Sequence, residues 1–345
     1  MSKERIALAM SGGVDSTVAA YLALQQGYDV TGIHLRLDDS PADEALQQSC
    51  EALGIKLIEC DCRRAFHEKV IIPAAEVYVS GRTPNPCCEC NKILKFAELF
   101  RAAGDHGMDK VWTGHYVTCV QDTDGRYMLR RGSDNCKDQS YFLYRLTQAE
   151  LSRVGFPLGS LSKAEVRQIA TAAGLPCASR PDSQDACFQI PGECCGETLR
   201  RRSGITVPPG RFIYRGKKVG THQGIHRYTI GQRQGLNVAL GVPAYISAID
   251  AGTGDIILTT DAQELLAESF TVSRVNWISG HAPDGEFTVK VRYRSPGVQC
   301  RIVELPDGKL QVFPEVPLRA VTSGQAAVFY QDEVMLGGGE IEQVM

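Results

Sequence analysis

The first half of the chain alternates short apolar runs with segments of helical periodicity. Ile6–Met10 is an apolar run, and Val14–Gln26, which follows a glycine-rich turn, has apolar residues at helical spacing. The same order continues with a strand over Asp29–His34, a helix over Ala42–Leu53 and a strand over Lys56–Glu59. This alternation of strands and helices predicts an α/β fold with a doubly wound parallel sheet and a ligand site beyond the carboxyl ends of its strands.

After about residue 205 the pattern changes, because glycine and proline become frequent and the apolar runs shorten. Phe287–Tyr293 alternates apolar and polar residues with a period of two, as a half-buried strand does. Pro-Asp-Gly turns at Pro283–Gly285 and Pro306–Gly308 separate further short runs. We therefore expect three domains: an α/β catalytic domain over residues 1–200, a basic β-rich central domain over 201–263 and a C-terminal β-barrel over 264–345.

The composition is that of a globular protein, with 43% apolar and 22% charged residues in a chain of 345. No run of about 18 apolar residues occurs, so we expect no membrane span. Met1–Arg5 is charged and leads directly into the first strand, without the apolar stretch of a signal peptide. The sequence therefore predicts a cytoplasmic location.

The net charge of −3 argues by itself against a nucleic-acid partner, but the charges are unevenly distributed. From Thr198 to Ile249 the chain has no Asp or Glu. A long segment of one sign indicates a surface that binds a polyanion, and the alternative is an ordinary solvated face. The basic residues of this basic segment are Arg200, Arg201, Arg202, Arg211, Arg215, Lys217, Lys218, Arg227 and Arg233.

A glycine-rich loop directly follows the first predicted strand. Ser11–Ser16, with the sequence Ser-Gly-Gly-Val-Asp-Ser, combines two glycines that let the backbone turn tightly with hydroxyl groups and the amino end of a helix. These features are typical of a phosphate site, although no lysine follows the last glycine as in a Walker loop. A second polar break, Gly114–Tyr116, follows a strand predicted over Lys110–Thr113 and is expected at the same edge of the sheet.

The chain contains 13 cysteines, an odd number that argues against a secreted disulfide scaffold. Cys50 and Cys300 lie among apolar residues and are expected to be small core side chains. Cys87 and Cys90 instead form a C-x-x-C pair within Gly81–Lys92, where two X-Pro steps hold the chain extended.

A helix is predicted over Ile93–Arg101, just after this pair, and its amino end would stabilise a thiolate. A further cysteine in a polar segment is Cys187. A structural zinc ion is the alternative function for the pair, and it would need four ligands. Cys194 and Cys195 are candidates for further zinc ligands, whereas Cys88 is equally well explained as a buried thiol.

The loop Ser11–Ser16 resembles that of the ATP pyrophosphatases, or PP-loop proteins, which cleave ATP between its α and β phosphates and adenylate a substrate oxygen. This motif alone leaves open GMP synthetase, argininosuccinate synthetase, tRNA-lysidine synthetase and the thiouridine synthases. With the cysteines included, the whole chain resembles the tRNA-specific 2-thiouridylase family. The segments that carry this resemblance are Ser11–Ser16, Gly81–Asn91, Thr113–Tyr116, Lys137–Leu143, Asp182–Phe188, Thr229–Arg233, Gly235–Leu236, Val291–Arg294, Gly324–Tyr330 and Leu336–Gly339.

The resemblance implies an enzyme that uses ATP and Mg²⁺ to replace the 2-oxygen of the wobble uridine by sulfur in tRNAs for Lys, Glu and Gln. It implies that Cys187 carries a persulfide, and that Cys90 is a second catalytic thiol able to form a disulfide with Cys187. A sulfur-relay protein or inorganic sulfide would supply the sulfur, and Asp15 would also take part in catalysis. The residues implied to hold ATP are Ala9, Met10, Ser11, Gly12, Gly13, Val14, Asp15, Ser16, Leu35 and Gly114. The residues implied to contact tRNA are Asn85, Pro86, Cys87, His115, Lys137, Asp138, Gln139, Arg292, Tyr293 and Gln325.

One position departs from the family's pattern, because Cys87 stands where the family usually has aspartate. Three thiolates, Cys87, Cys90 and Cys187, with one open position are what a [4Fe–4S] cluster needs in order to bind an extra sulfide. We therefore favour a cluster-dependent reaction over a bare persulfide relay. Gln184–Ala186, before Cys187, also differs from the family's usual Thr-Gly-Ile and is expected to change the loop around this cysteine.

Two other classes of function remain open. A different PP-loop synthetase would have no use for the paired cysteines or for the basic segment. A metal-bound RNA-binding module without catalytic activity would bind tRNA but would not consume ATP.

Overall fold

The computed structural model describes residues 3–40, 43–182 and 185–345. Its strands, in chain order, are β1 (Arg5–Ala9), β2 (Asp29–Arg36), β3 (Lys56–Asp61), β4 (Lys110–Trp112), β5 (Val117–Gln121), β6 (Tyr127–Arg131), β7 (Val154–Gly155), β8 (Gly210–Tyr214), β9 (Lys217–His222), β10 (Tyr245–Asp250), β11 (Asp255–Thr259), β12 (Leu266–Ala267), β13 (Phe270–Trp277), β14 (Phe287–Lys290), β15 (Val298–Glu304), β16 (Leu310–Pro314), β17 (Leu318–Arg319), β18 (Ala326–Gln331) and β19 (Val334–Val344).

The α-helices are α1 (Val14–Gln25), α2 (Glu44–Leu53), α3 (Arg63–Phe66), α4 (Ile72–Val79), α5 (Pro86–Cys90), α6 (Phe96–Asp105), α7 (Gln148–Leu151), α8 (Lys163–Ala172) and α9 (Cys195–Ser203). A π-turn over His67–Ile71 joins α3 to α4, and a second π-turn over Asn91–Lys95 joins α5 to α6. Short 3-10 turns cover Ser140–Leu143, Ile225–Arg227 and Ala262–Leu265. No helix in the described part of the chain is both long enough and apolar enough to cross a membrane.

The first sheet is parallel, with the strand order β3–β2–β1–β4–β7. Ile6 and Leu8 of β1 pack into a core that also contains residues of α1 and α8, whereas Ala7 packs into the core on the opposite face. Side chains alternate along a strand, which explains why consecutive residues enter two different cores. The loops after β1 and β4 lie side by side, because these strands pair in parallel at the centre of the sheet. The predicted doubly wound α/β domain is therefore confirmed.

The helix predicted over Ala42–Leu53 is observed as α2, which begins at Glu44. The carboxylate of Asp43 caps it by accepting a hydrogen bond from the backbone N–H of Ala45 at 3.0 Å. Ala42 itself lies outside the described residues. α2 ends at Leu53, and the left-handed conformation of the next residue, Gly54, caps the C-terminus of the helix.

The position of Cys87 and Cys90 relative to the nearby helix differs from the prediction. The helix predicted to begin at Ile93 starts earlier, at Pro86, because the side chain of Asn85 caps it and proline fits its first turn. Cys87 and Cys90 therefore lie within the first turns of a helix and not before one.

Two β-structures follow in the second half of the chain. The central one is a four-stranded sheet in the order β10–β11–β8–β9, with a core that includes Phe212, Ile246 and Ile256. The C-terminal one is a closed barrel in the order β13–β16–β15–β14–β18–β19, in which β19 pairs back onto β13. Gly339 permits this closure, because a β-carbon there would lie 2.5 Å from the carbonyl oxygen of Ser273. The predicted β-rich domain and barrel are confirmed.

One connection between the halves was not predicted from the sequence. The hairpin β5–β6 belongs to the N-terminal half, yet β6 pairs with the barrel strand β19 at Arg130 with Val334 and Leu129 with Met335. The hairpin thus extends the sheet of the barrel.

Candidate functional site

The phosphate loop is shaped by its own hydroxyl groups. The backbone N–H of Ser11 donates to Ser16 Oγ at 3.2 Å, and Ser16 Oγ donates to the carbonyl of Gly13 at 3.1 Å. Gly12 adopts a left-handed conformation with φ of 73°, which favours glycine. No side chain caps α1 after Gly13, so the N–H groups of its first turn are available to an anionic ligand.

The loop after β4 contacts the phosphate loop directly. A β-carbon at Gly114 would lie 2.9 Å from the carbonyl carbon of Asp15 and 3.0 Å from the amide nitrogen of Ser16. Only glycine fits this contact without a shift of the backbone. The structure therefore brings together the two polar breaks that the sequence predicted at one edge of the sheet.

Asp15 lies in a network of charged and phenolic groups. Its Oδ1 accepts hydrogen bonds from the hydroxyl of Tyr116 at 2.6 Å and from Lys163 Nζ at 2.6 Å. Lys163 also binds Asp182 at 2.9 Å, and Lys137 Nζ donates to the same carboxylate at 2.9 Å. Burial raises the pKa of Asp182, but the bonds from these two lysines outweigh it and hold the pKa at about 2. The carboxylate therefore stays charged and fixes both cations beside the loop.

Two cations of this region were not predicted from the sequence. Lys163 is the first residue of α8, and Arg180 donates to the carbonyl of Gly12 at 3.0 Å while pairing with Asp43 at 2.7 Å. Their roles depend on a contact between distant parts of the chain, so no local motif marks them.

The other residues predicted to hold ATP surround the loop. Ala9 ends β1, and Met10 is buried after it, with its amide donating to the carbonyl of Ile33 at 2.8 Å. Val14 is buried at the start of α1. Leu35 lies in β2, where it is half-buried and packs against the core on one face of the sheet.

The cysteines predicted to carry the chemistry are near one another. Cys90, Cys195 and the two neighbours of Cys187, Ala186 and Phe188, pack on one hydrophobic cluster with Phe66, Tyr78 and Leu94. Cys87 and Cys90 are half-buried, whereas Cys187 is exposed, and all three are free thiols. Ser183 and Gln184, also part of the motif before Cys187, lie outside the described residues.

These thiols are not stabilised as thiolates by the helix start, so that prediction is wrong. Burial raises the pKa of Cys87 and of Cys90 to about 12, with the negative charge of an ionised Cys187 acting in the same direction. The surrounding protein also raises the pKa of Cys187 by desolvating its thiol, although the residue is exposed at the surface, whereas Lys95 acts in the opposite direction. The charge of Cys187 acts on both Cys87 and Cys90, which indicates that the three sulfur atoms lie near one another.

Among residues 3–40, 43–182 and 185–345, no three cysteine, histidine, aspartate or glutamate side chains are close enough to hold a metal ion. The thiols of Cys87, Cys90 and Cys187 are thus neighbours, but in this arrangement they are not a ready ligand set for zinc or for a cluster.

The residues predicted to contact tRNA fall into two groups, and the first group is held by protein contacts. Asp138 is buried and accepts hydrogen bonds from the amides of Gly132 and Ser140. Arg292 donates to the carbonyls of Ile230 at 3.1 Å and Ala320 at 2.9 Å, and so ties the central domain to the barrel.

His115 and Gln325 also have protein partners. His115 is buried, and its Nδ1 lies 2.7 Å from Thr113 Oγ1. Gln325 donates to the carbonyls of Thr83 at 3.1 Å and Pro84 at 2.8 Å, which fixes the segment just before the cysteines.

The second group includes side chains closer to solvent. Asn85 is half-buried and caps α5, and Pro86 follows it as a buried residue. Lys137 is half-buried and forms its ion pair with Asp182. Gln139 accepts a hydrogen bond from the backbone N–H of Tyr116 at 3.0 Å.

Tyr293 completes the second group. Its side chain is half-buried, and its ring centroid lies 4.5 Å from that of Phe142. The ring is therefore held by an aromatic contact on one side while part of it remains open to solvent.

An ion-pair network holds the cysteine helix against the barrel. Glu89, which stands inside the C-x-x-C pair, bonds Arg145 and pairs with Arg274 of β13 at 3.1 Å. Arg274 also pairs at 2.9 Å with Glu340 of β19, which in turn pairs with Arg82 at 3.2 Å. A cavity of about 310 Å³ lies beside this network, between α4, α5 and the barrel.

The basic segment is less positive than its sequence indicates. Arg200 pairs with Glu197 at 2.8 Å, Arg201 with Glu193, Arg202 with Asp38 and Arg211 with Asp255 at 2.7 Å. Acidic residues outside the segment therefore neutralise much of the charge in its first half, whereas the prediction that the segment binds a polyanion stays a prediction. Basic residues that have no ion pair within the described ranges are Arg215, Lys217, Lys218 and Arg233.

Three family models match the chain. Residues 4–191 match the model described as the tRNA methyl transferase HUP domain. Residues 202–260 match the tRNA methyl transferase PRC-barrel domain, and residues 267–341 match the aminomethyltransferase beta-barrel domain.

Curated proteins match over nearly the entire chain. A tRNA-specific 2-thiouridylase MnmA from Syntrophotalea carbinolica is 41% identical over 349 residues, which cover 98% of each chain. The protein of the same name from Chloroflexus aurantiacus is 42% identical over 353 residues, covering 97% of this chain and 98% of that protein. The one from Treponema denticola is 42% identical over 361 residues, covering 99% of this chain and 98% of that protein.

Proposed function

Because the chain belongs to the tRNA-specific 2-thiouridylase family, we propose that it is a sulfurtransferase that converts a uridine of tRNA to 2-thiouridine at the expense of ATP. One observation carries this proposal. Gly114 contacts Asp15 in the phosphate loop, while the adjacent His115 contacts Lys95, whose charge acts on the thiols. Two consecutive residues thus connect the nucleotide site to the sulfur site.

The nucleotide part of the proposal assigns ATP and Mg²⁺ to the loop Ser11–Ser16. Free N–H groups at the start of α1 suit the phosphate oxygens, and Lys163 and Arg180 lie beside them to balance the charge. The carboxylate of Asp15 supplies the type of oxygen ligand that Mg²⁺ prefers. The ion, when bound, would neutralise charge on the phosphates.

The chemical part begins with activation of the uridine. Its O2 atom attacks the α-phosphate of ATP, pyrophosphate leaves, and the oxygen becomes part of an AMP leaving group. In the persulfide route, the terminal sulfur on Cys187 attacks C2 and AMP is expelled. The thiolate of Cys90 then attacks the Cys187 sulfur, so that the sulfur–sulfur bond breaks, the new sulfur stays on the uridine and a Cys90–Cys187 disulfide forms. Cys90 packs on the same hydrophobic cluster as Ala186 and Phe188, the two neighbours of Cys187, and this supports the step.

A cluster-dependent route is the second candidate, because Cys87 supplies a third thiol beside Cys90 and Cys187. These residues would hold a [4Fe–4S] cluster, whose open iron site would supply bound sulfide. The number and type of donors fit such a cluster, and the effect of the Cys187 charge on Cys87 and Cys90 supports their closeness. In the part of the chain that the structure describes, no three such side chains are close enough to hold a metal ion. Cys87, Cys90 and Cys187 would therefore have to move closer together to bind the cluster.

We also propose the finer features of the reaction. The target is the wobble uridine of tRNAs for Lys, Glu and Gln, and the sulfur donor is a sulfur-relay protein or inorganic sulfide. The protein acts in the cytoplasm, and the exposed residues of the basic segment, Arg215, Lys217, Lys218 and Arg233, contact the tRNA.

The test is 2-thiouridine formation on unmodified tRNA, measured by nucleoside mass spectrometry under anaerobic conditions with ATP and with either sulfide or a protein persulfide as the sulfur donor. Protein loaded with iron and protein stripped of iron are compared. Product from sulfide only with iron would assign Cys87, Cys90 and Cys187 to a cluster. Product from iron-free protein with the persulfide donor, but not with sulfide, would assign the persulfide route, because sulfide cannot form a persulfide on a thiol without an oxidant. Absence of product in both, with tRNA-dependent AMP formation also absent, would contradict the proposed function.

Two substitutions separate the half-reactions. Asp15→Ala is expected to abolish both AMP formation and thiolation, because the nucleotide site is lost. Cys187→Ser is expected to abolish thiolation while tRNA-dependent AMP formation continues. Substantial thiolation by either folded variant would contradict the role assigned to that residue.

A further inference from the structure

Three cations meet at the carboxylate of Asp182, beside the phosphate loop. Lys137 Nζ donates to its Oδ2 at 2.9 Å, Lys163 Nζ pairs with its Oδ1 at 2.9 Å, and Arg167 bonds the same Oδ1. Lys163 also donates to Asp15 of the loop at 2.6 Å. The carboxylate therefore allows side chains of like charge to lie together next to the nucleotide site.

Lys137 differs from the other two cations in how much of its charge the protein uses. The side chain of Lys163 is 12% exposed and bonds two carboxylates, and Arg167 also donates to two backbone carbonyls. The side chain of Lys137 is 36% exposed, and within the described ranges its ammonium group has one bond, to Asp182. An ammonium group has three hydrogens, so two of them are available to a ligand.

The backbone around Lys137 is fixed relative to Lys163. Asp134 Oδ2 accepts a hydrogen bond from the amide of Lys163 at 3.0 Å, and its Oδ1 accepts one from the amide of Cys136 at 3.0 Å. The amide of Lys137 donates to the carbonyl of Asp134 at 2.9 Å. Asp134 therefore ties the turn that carries Lys137 to the start of α8, while Asp182 ties the two lysine side chains to each other.

The two residues after Lys137 hold this segment in place. Asp138 is buried, and its carboxylate is bonded to backbone amides. Gln139 and Tyr116 exchange hydrogen bonds at 2.9 and 3.0 Å, and the Tyr116 hydroxyl bonds Asp15. Of the two charged residues in the segment that the family resemblance assigns to tRNA contact, Lys137 is thus the one whose charge reaches solvent, and it does so beside the phosphate loop.

The chemistry of adenylation requires the α-phosphate of ATP to lie between two surfaces. Uridine O2 attacks from the side opposite to the leaving pyrophosphate, because phosphoryl transfer is in line. The pyrophosphate belongs to the loop Ser11–Ser16, and the uridine belongs to the tRNA on the other side. A cation placed where the loop meets the tRNA surface stabilises the charge on the oxygens of the transferring phosphate. Lys137 has this position.

We propose that Lys137 is a catalytic residue of the adenylation step, in which it binds a non-bridging oxygen of the α-phosphate, and that Asp182 and Asp134 position it. The proposal rests on the proposed function, since it assigns a role in that reaction. In this step a bond forms between uridine O2 and the α-phosphorus. The bond from that phosphorus to the bridging oxygen breaks, its electron pair leaves on pyrophosphate, and the proton of uridine N3 passes to water. Lys137 keeps its protons and contributes charge alone.

The test separates adenylation from tRNA binding. Pyrophosphate release is measured in a single turnover of the full chain with saturating ATP, Mg²⁺ and unmodified tRNA, without a sulfur donor, so that the reaction stops after this step. Filter binding gives the Kd for tRNA. Lys137→Met should lower the rate constant about 100-fold or more, because removing one group that stabilises transition-state charge costs about 10²–10³-fold in rate. The tRNA Kd should change no more than about threefold, since one partly exposed charge contributes little to binding.

Lys110→Met is the matched control. The side chain of Lys110 is 42% exposed and pairs with Glu4 at 2.8 Å, but it begins β4 and so lies at the opposite edge of the sheet from the site. Its rate constant and tRNA Kd should equal those of the unaltered chain. Lys137→Arg keeps the charge with a different shape and should recover a rate constant within about tenfold of that of the unaltered chain.

An unchanged rate constant in Lys137→Met would overturn the proposal, and a raised tRNA Kd beside it would make Lys137 a tRNA contact instead. If the melting temperature shows that Lys137→Met is unfolded, Asp182→Asn supplies the second test. It weakens the bond that places Lys137 and should lower the same rate constant about tenfold or more with the tRNA Kd unchanged. An unchanged rate constant there would also overturn the proposal. Absence of tRNA-dependent pyrophosphate release from both the unaltered chain and Lys110→Met would contradict the proposed function itself.

Discussion

Gly114 packs against the backbone of Asp15 so closely that a β-carbon would lie 2.9 Å from the Asp15 carbonyl carbon. This contact joins the loop after β4 to the start of α1. Any side chain at position 114 would have to push the phosphate loop away, because backbone atoms cannot rotate aside as a side chain does. The glycine therefore determines the position of the loop.

Gly114→Ala is expected to weaken ATP binding. Overpacking of this kind costs about 1–3 kcal/mol, and about 1.4 kcal/mol corresponds to a tenfold change in affinity. Isothermal titration with a non-hydrolysable ATP analogue measures the change. Gly104→Ala is the control, because a β-carbon there meets nothing within 4 Å and the residue lies within α6. Equal affinity in both variants would mean that the loop does not hold the nucleotide.

Asp182→Asn is expected to make stability less dependent on acid pH. The folded-state pKa of about 2 lies below the ordinary value of 3.8, so this carboxylate stabilises the fold at every pH above about 4. The contribution disappears as pH falls from 4 to 2, when the carboxylate is protonated in both states. Urea unfolding at pH 7, 4 and 2.5 should show the variant less stable at pH 7, with the difference shrinking at low pH.

Asp124→Asn, which removes an exposed carboxylate, is the control for the loss of one charge. We compare the free energy of unfolding of Asp182→Asn with that of the unaltered chain at each pH. If the difference stays constant from pH 7 to 2.5, the stabilisation does not come from the lysine contacts.

Arg274→Met is expected to lower the amount of 2-thiouridine formed for each ATP consumed. The change removes the pairs with Glu89 and Glu340, so the cysteine helix loses its ion pair with the barrel. Because these pairs are partly exposed, the loss of unfolding free energy should be about 1 kcal/mol or less. Product and AMP are counted in the same reaction. Arg301→Met, which removes an arginine stacked on Phe313, should keep the ratio unchanged, and a normal ratio in both variants would contradict the role of the network.

Lys217→Glu combined with Lys218→Glu is expected to reduce the salt dependence of tRNA binding. Both residues are exposed and have no ion pair within the described ranges, whereas the arginines at 200–202 are already paired. For every phosphate group that the variant no longer neutralises, the slope of log K against log salt should fall by about one. Binding titrations between 50 and 300 mM KCl measure the slope. Arg200→Gln is the control, and a larger effect from it than from the lysines would contradict the assignment of the surface.

The α/β fold, the barrel and the contact of the two loops could be predicted from the sequence, because each depends on local patterns. The run Ile6–Met10, the glycines of the loop and the alternation at Phe287–Tyr293 are all visible within a few residues. The bounds of the three domains at 200 and 264 stay predictions. The roles of the individual cysteines in catalysis also stay predictions.

The environment of the site could not be predicted, because it is made by contacts across the chain. Asp38 pairs with Arg202, and Glu193 with Arg201, so a segment that is basic by sequence is partly neutral. The start of α5 could not be predicted because two prolines near Asn85 suggest an extended chain, yet one of them occupies the first turn of a helix. Burial, which no local pattern reports, raises the pKa of the thiols.

The pairing of β6 with β19 limits how the chain can be divided. One core combines Phe96 and Tyr141 from the first half with Val328 and Tyr330 from the barrel. A fragment that ends near residue 200 would leave these apolar side chains in water and the edge of β6 without a neighbour. We therefore expect the nucleotide-binding half to be insoluble when expressed alone and to be rescued by co-expression of the remainder. We expect the two halves to unfold as one cooperative unit, although the chain passes through a separate sheet between them.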